Sequence, residues 1–87
     1  MAILVDAAIW PWRERLWAHL VSDVSYEELH EFAAQLGIPR DRFQGDHYDV
    51  PTEIRERAIV LGAQAVEGKE LVHRLIAAGL RLRKPLG

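Results

Sequence analysis

The chain has 87 residues, 49% apolar and 28% charged, a balance that fits a single soluble globular domain and excludes a chain disordered throughout. Thirteen acidic against eleven basic side chains leave a formal charge of -2, so no global positive field draws it to nucleic acid or to an anionic membrane. Cysteine is absent, which removes disulfides, thiolate metal ligands and cysteine nucleophiles together and suits a reducing cytosol.

The apolar run at residues 2–5 stops at Asp6 without a basic leader. It is too short for a signal peptide or a membrane span, and a cytoplasmic location is expected. Its β-favouring composition reads as a short strand covered on both faces. Functional groups in open α/β sheets collect just past the carboxyl ends of strands, so Asp6 is a candidate site residue; ordering the next turn is its plainer role. Residues 7–15 carry Trp10-Pro11-Trp12. Proline blocks regular pairing there, and an ordered loop with its indoles folded over the core is expected.

Residues 16–23 read as a second strand. Period-two geometry puts Trp17, His19, Val21 and Asp23 on one face and Ala18, Leu20 and Ser22 on the other. A histidine in such a strand must find partners for both ring nitrogens, either as a neutral core residue or as a ligand or base. Ser25 with Glu28 fits a capping box, and Tyr26, Leu29, Phe32, Ala33 and Leu36 form a helical stripe that Gly37 ends. His30 sits at the edge of that stripe, with solvent its simplest destination and a pairing with Glu27 or Glu31, or the polar stretch beyond, the alternatives.

Residues 39–42 make one turn after Pro39. The stretch from Gln44 to Val50 then sets Asp46, His47, Tyr48 and Asp49 in a row at the mouth of a helix, where a plain turn would use Gly, Pro, Asn or Ser. Tyr48, Val50 and Pro51 favour a short extended segment, in which His47 and Asp49 share a face and Tyr48 opposes them. A helix follows to Leu61 and ends at Gly62, with Ile54, Ala58, Ile59 and Leu61 packed on the sheet. Arg55 and Arg57 leave it on different sides, so at most one faces the site. Residues 63–67 form a weak strand. Residues 69–79 form a last helix that buries Leu71, Val72, Leu75, Ile76 and Leu80, with His73 in solvent, and 81–87 read as a loose basic tail.

The order of elements indicates one α/β domain over residues 1–87, with a small sheet of three to four strands packed by three helices. No phosphate loop, zinc-protease helix, nucleophile elbow or calcium loop is present. What remains is a constellation of histidines and carboxylates near element ends, which suits a divalent metal or a His-Asp proton-transfer pair. His47, Asp49 and His19 are the catalytic candidates; Asp6, His19, His47 and Asp49 are the metal-ligand candidates. Asp6, Tyr48, Arg57 and Gln44 are candidates to bind a small, phosphorylated or otherwise anionic ligand, hydrolysis being one outcome. Arg57 is expected to pair with Asp49 or Asp46. The other reading is a non-enzymatic interaction module whose polar groups are structural; three tryptophans in so small a chain point to a two-fold homodimer.

The succession Val5-Asp6, Trp10-Pro11, His19-Leu20 with Asp23, Glu28-Leu29-His30-x-Phe32-Ala33, Phe43-Gln44-x-x-His47-Tyr48-Asp49, and Arg57-Ala58-Ile59 with Gly62-Ala63 resembles a family of short bacterial and phage proteins. That family is known as domain of unknown function four-zero-three-one. The resemblance runs from residue 2 to residue 72, with His-Tyr-Asp its most distinctive part. It implies that Asp6, His19, His30, His47, Tyr48, Asp49 and Arg57 belong to the family signature, and it implies no reaction, cofactor or partner. Relatives often carry a second aspartate after the first. Here Ala7 takes that place, which weighs against a paired-carboxylate metal site at the strand end.

Overall fold

The protein is described by a computed structural model covering residues 2–81; the rest of the expected loose tail lies outside the described residues. The elements run β1 (Ile3–Val5), β2 (Trp10–Trp12), β3 (Arg15–Ser22), α1 (Tyr26–Gln35), a short 3-10 turn (Arg40–Arg42), β4 (Tyr48–Pro51), α2 (Thr52–Val60), β5 (Gln64–Ala65) and α3 (Gly68–Ala77). The α/β class and the three helices match the sequence reading. The sheet has five strands, more than the expected three to four.

The additional strand is β2. Proline sits comfortably on an edge strand, where its missing N–H leaves no ladder bond unmade, and residues 10–12 pair antiparallel with β3. The hairpin turns through Arg13 and Glu14, both at positive φ (50° and 61°), the backbone of a tight two-residue turn whose twist matches its strands. The expected loop is therefore a hairpin, and its indoles do not fold over the core: Trp10 and Trp12 are each 56% exposed.

β3 is the central strand. Leu20 is paired with both Val5 and Tyr48, and Trp17 with both Trp10 and Pro51, so β1 and β2 follow one another along one edge while β4 takes the other. β5 extends the sheet beyond β1 in parallel. Side-chain alternation divides the core into two layers. Ile3, Val5, Ala18, Leu20, Tyr48 and Val50 pack under Leu29, Ala33 and Leu36 of the α1 region and Ala58 of α2. Leu4 and Val21 face the opposite way and pack under Leu71 and Leu75 of α3. Each fully buried Leu or Val contributes roughly 1.5–3 kcal/mol, so both layers are needed to stabilise a chain this short.

Ser25 caps α1 by accepting the Glu28 N–H at 3.0 Å. The other half of the capping box is diverted, because the Glu28 carboxylate accepts from Ser22 Oγ instead. α2 buries less than expected: Ala58 is buried and Ile54 and Ile59 are half-buried, whereas Leu61 remains 47% exposed. Gly79 (φ 76°) supplies the left-handed step that ends α3, with its own N–H bonded to the Ile76 carbonyl. Among the described residues no helix is long and apolar enough to cross a membrane.

Candidate metal centre

The site follows from sheet register. Extending the β1–β3 register by one residue sets Asp6 opposite His19, where the Asp6 N–H donates to the His19 carbonyl at 3.3 Å. On the other edge of β3, His19 is paired with Asp49. Directly opposite residues share a face, so Asp6, His19 and Asp49 form one row across three strands. His47 precedes Asp49 by two residues and lies on the same side. This is the face that α3 only partly covers, which leaves the row at an open margin of the core.

Each histidine is held through Nδ1 by its own carboxylate. Asp6, nearly buried, accepts the His19 backbone N–H at 2.6 Å with Oδ1 and meets His19 Nδ1 at 2.8 Å with Oδ2. Asp46 Oδ1 meets His47 Nδ1 at 2.7 Å. Gly45, at φ 90°, allows the tight loop that brings Asp46 beside His47, and the Gln44 N–H closes that loop on the His47 carbonyl at 2.8 Å. With both Nδ1 atoms engaged, the two Nε2 atoms are left to the cleft. One ligand atom from each of His19, His47 and Asp49 lies within 4.8 Å of the others, and His47 Nε2 is 3.3 Å from Asp49 Oδ1. Metal–donor distances of about 2.1 Å need the donors within about 4.2 Å of one another, so the group would have to draw together slightly around an ion.

The charges are tied together behind the rings. Arg81, just past α3, donates to both oxygens of Asp46, Nε at 2.6 Å and NH2 at 3.1 Å. Burial pushes the Asp46 carboxyl up, but the hydrogen bonds from Arg81 and His47 outweigh it and hold its pKa below the usual aspartate value. The hydrogen bond to Asp6 raises the His19 pKa above 6.5 against partial burial, with the Asp6 and Asp49 charges adding to the rise. Arg55 Nε donates to the Asp6 backbone carbonyl at 2.7 Å and fixes the strand end.

A cleft of about 310 Å³ opens over these groups, walled by Trp10, Pro11, Trp12 and Trp17 and floored by His19, His47 and Asp49. Trp10 meets the His19 ring edge to face at 5.6 Å between centroids, and the two histidine rings are 5.1 Å apart. The expected meeting of at least three of Asp6, His19, His47, Tyr48 and Asp49 at one cleft, with a direct His-Asp bond, is what the geometry gives.

Three of the candidate residues stand elsewhere. Tyr48 is fully buried on the opposite face, its hydroxyl 2.7 Å from His30 Nδ1, so His30 serves the core rather than solvent. Arg57 is exposed on α2 and makes no ion pair among the described residues, because Asp46 is taken by Arg81 and helix phase points Arg55 inward instead. Gln44 lines a neighbouring cleft rather than this one. Asp46, Arg55 and Arg81 were not among the sequence candidates. The adjacency of Asp46 to His47 was a usable signal; for Arg81, 35 positions from its partner, no local pattern existed.

Fold and site define a small α/β domain with two carboxylate-held histidines beside a third carboxylate on an open sheet face. Residues 3–78 match the model of the family described as "Protein of unknown function (DUF4031)", and the chain belongs to that family. Comparisons with curated proteins and with solved structures gave no match.

Proposed function

We propose that this domain binds one divalent transition metal through His19 Nε2, His47 Nε2 and Asp49 and uses it for hydrolysis of a small substrate. The observation that carries this reading is the pairing of each Nδ1 with a separate aspartate. Metal-ligating histidines characteristically give their second nitrogen to a carboxylate, which fixes tautomer and ring orientation and raises the basicity of the ligating nitrogen. Two such pairs converging on a third carboxylate are more than a core needs. Two imidazoles and a carboxylate suit Zn, Fe or Ni better than Mg or Ca. An ion held by three side chains supplies Lewis acidity and leaves positions open to substrate.

Within this reading Asp6 is a positioning residue rather than a ligand, since both its oxygens are spent on His19. Hydrolysis is the chemistry proposed because a divalent ion held this way would lower the pKa of a bound water and supply a nucleophile near neutral pH. A phosphorylated ligand has less support: Arg55 and Arg81 are committed to Asp6 and Asp46, and Arg57 stands apart.

The test is metal content after purification without chelator, followed by thermal melts with Zn, Mn, Ni and Mg. A bound ion at saturation should add roughly 2–4 kcal/mol of stability. His19→Ala, His47→Ala and Asp49→Ala should each abolish that gain, and a gain untouched by all three would refute the assignment.

One observation favours a second reading, an interaction module. Edge strand β2 and its neighbours expose Ile9 (68%), Trp10, Trp12 and Leu16 (49%), an apolar strip suited to a second copy. Light scattering separates the two: a dimer indifferent to metal would support the module, and a monomer would remove it.

A further inference from the structure

The cleft over the histidines does not end at Asp49. Trp12, Trp17 and Asp49 also line a larger cleft, of about 490 Å³, that continues past β4 toward the segment joining α1 to the 3-10 turn. Small-molecule sites run to about 300–1,000 Å³ and are mostly apolar with a few convergent polar groups. This cleft has that constitution: Ile38 and Ile54 join the two indoles as apolar wall, and Arg42, Gln44 and Asp49 are its polar groups. Arg42 makes no ion pair among the described residues, whereas Arg15, Arg74 and Arg81 are each bound to a carboxylate. An unspent guanidinium therefore borders an apolar cleft that shares Asp49 with the metal-ligand set.

We infer that the larger cleft binds the substrate, and that the substrate is a small organic monocarboxylate with a planar apolar body. The body lies against Trp12, Trp17 and Ile54, and the carboxylate lies on Arg42. The bond to be hydrolysed then faces Asp49; this last placement rests on the proposed metal function, while the binding itself does not. A single negative charge is favoured because one guanidinium meets one carboxylate in a bidentate fork. A phosphate dianion would need further donors and would bring two charges toward Asp49.

The experiment uses the full chain with chelator present, so that no metal can hold the probe. Naphthoate and its neutral analogue naphthylmethanol are titrated while tryptophan fluorescence is followed. Naphthoate should bind about tenfold or more tighter than the alcohol, as expected for one charge-assisted contact. Arg42→Gln should reduce naphthoate to the affinity of the alcohol without changing the alcohol, and Arg57→Gln, which removes the same charge from α2, should change neither. Equal binding of the two probes, no saturable binding, or the same loss in both variants would overturn the inference. A naphthoate site that depends on Arg42 in a protein that binds no divalent ion would uphold the inference and sink the metal reading.

Discussion

His19 and His47 are held by carboxylates of different origin. Asp6 reaches His19 through sheet register and is braced by Arg55. Asp46 reaches His47 through a four-residue loop and is braced by Arg81 from the far end of the chain. Removing Arg81 takes away a two-point clamp and leaves Asp46 to hold His47 alone. Arg81→Ala should therefore weaken divalent-metal binding, by less than the roughly 10–100-fold expected for losing Asp46, the direct partner of His47. Arg81→Lys should recover part of the loss, since lysine keeps the charge but not the fork. Calorimetric titration of the three proteins checks this; equal affinities would show that the clamp serves only the chain end. At this scale Asp6 was legible as an acid at a strand end and His19 as a polar residue in an apolar strand, while strand parity put His47 and Asp49 on one face. Arg57 was misread because choosing it over Arg55 needs the helix phase relative to the sheet, which packing sets.

Among the elements, the β2–β3 hairpin was the one hidden from sequence. Such turns are announced by Asn-Gly or Asp-Gly, and Arg13-Glu14 carries neither. Two non-glycine residues in the left-handed region cost about 1–2 kcal/mol each, which the hairpin offsets by pairing β2 with β3 and closing Trp12 and Trp17 to 5.6 Å. Glu14→Gly should consequently stabilise the protein by about 1 kcal/mol, raising the melting temperature by about 4–8 °C. A lower melting temperature would contradict this turn.

The bond between His30 of α1 and Tyr48 of β4 joins two elements and has its own pH signature. Burial lowers the His30 pKa below 6.5, with Arg40 adding to the effect, so the neutral ring belongs to the folded state. A depressed folded-state pKa gives stability that is present above 6.5 and is lost as pH falls through the folded value. Above neutrality, wild type should exceed His30→Gln by about 1 kcal/mol, and the gap should close on acidification. Melts of both proteins across the acid range check this, and a pH-independent gap would contradict it.

At the scale of the whole molecule, the proposed site owes its place to unequal cover. Two helices seal one face of the sheet and one helix partly covers the other, so the Asp6–His19–Asp49 row lies where the core gives way to a tryptophan-walled cleft. The class and the helices were readable from apolar periodicity and end signals such as Ser25 and Gly37. The strand order, and with it the meeting of residues 6, 19, 47 and 49, depended on contacts far apart in sequence. In the proposed site two ring nitrogens of defined identity converge on one ion. Long-range nitrogen-15 spectra of the histidine side chains, recorded before and after one equivalent of zinc, test it most directly. Nε2 of His19 and of His47 should shift together while their Nδ1 atoms stay protonated and His30 and His73 are unmoved. Zinc that leaves either His19 or His47 unshifted, or that binds through Nδ1, would contradict it.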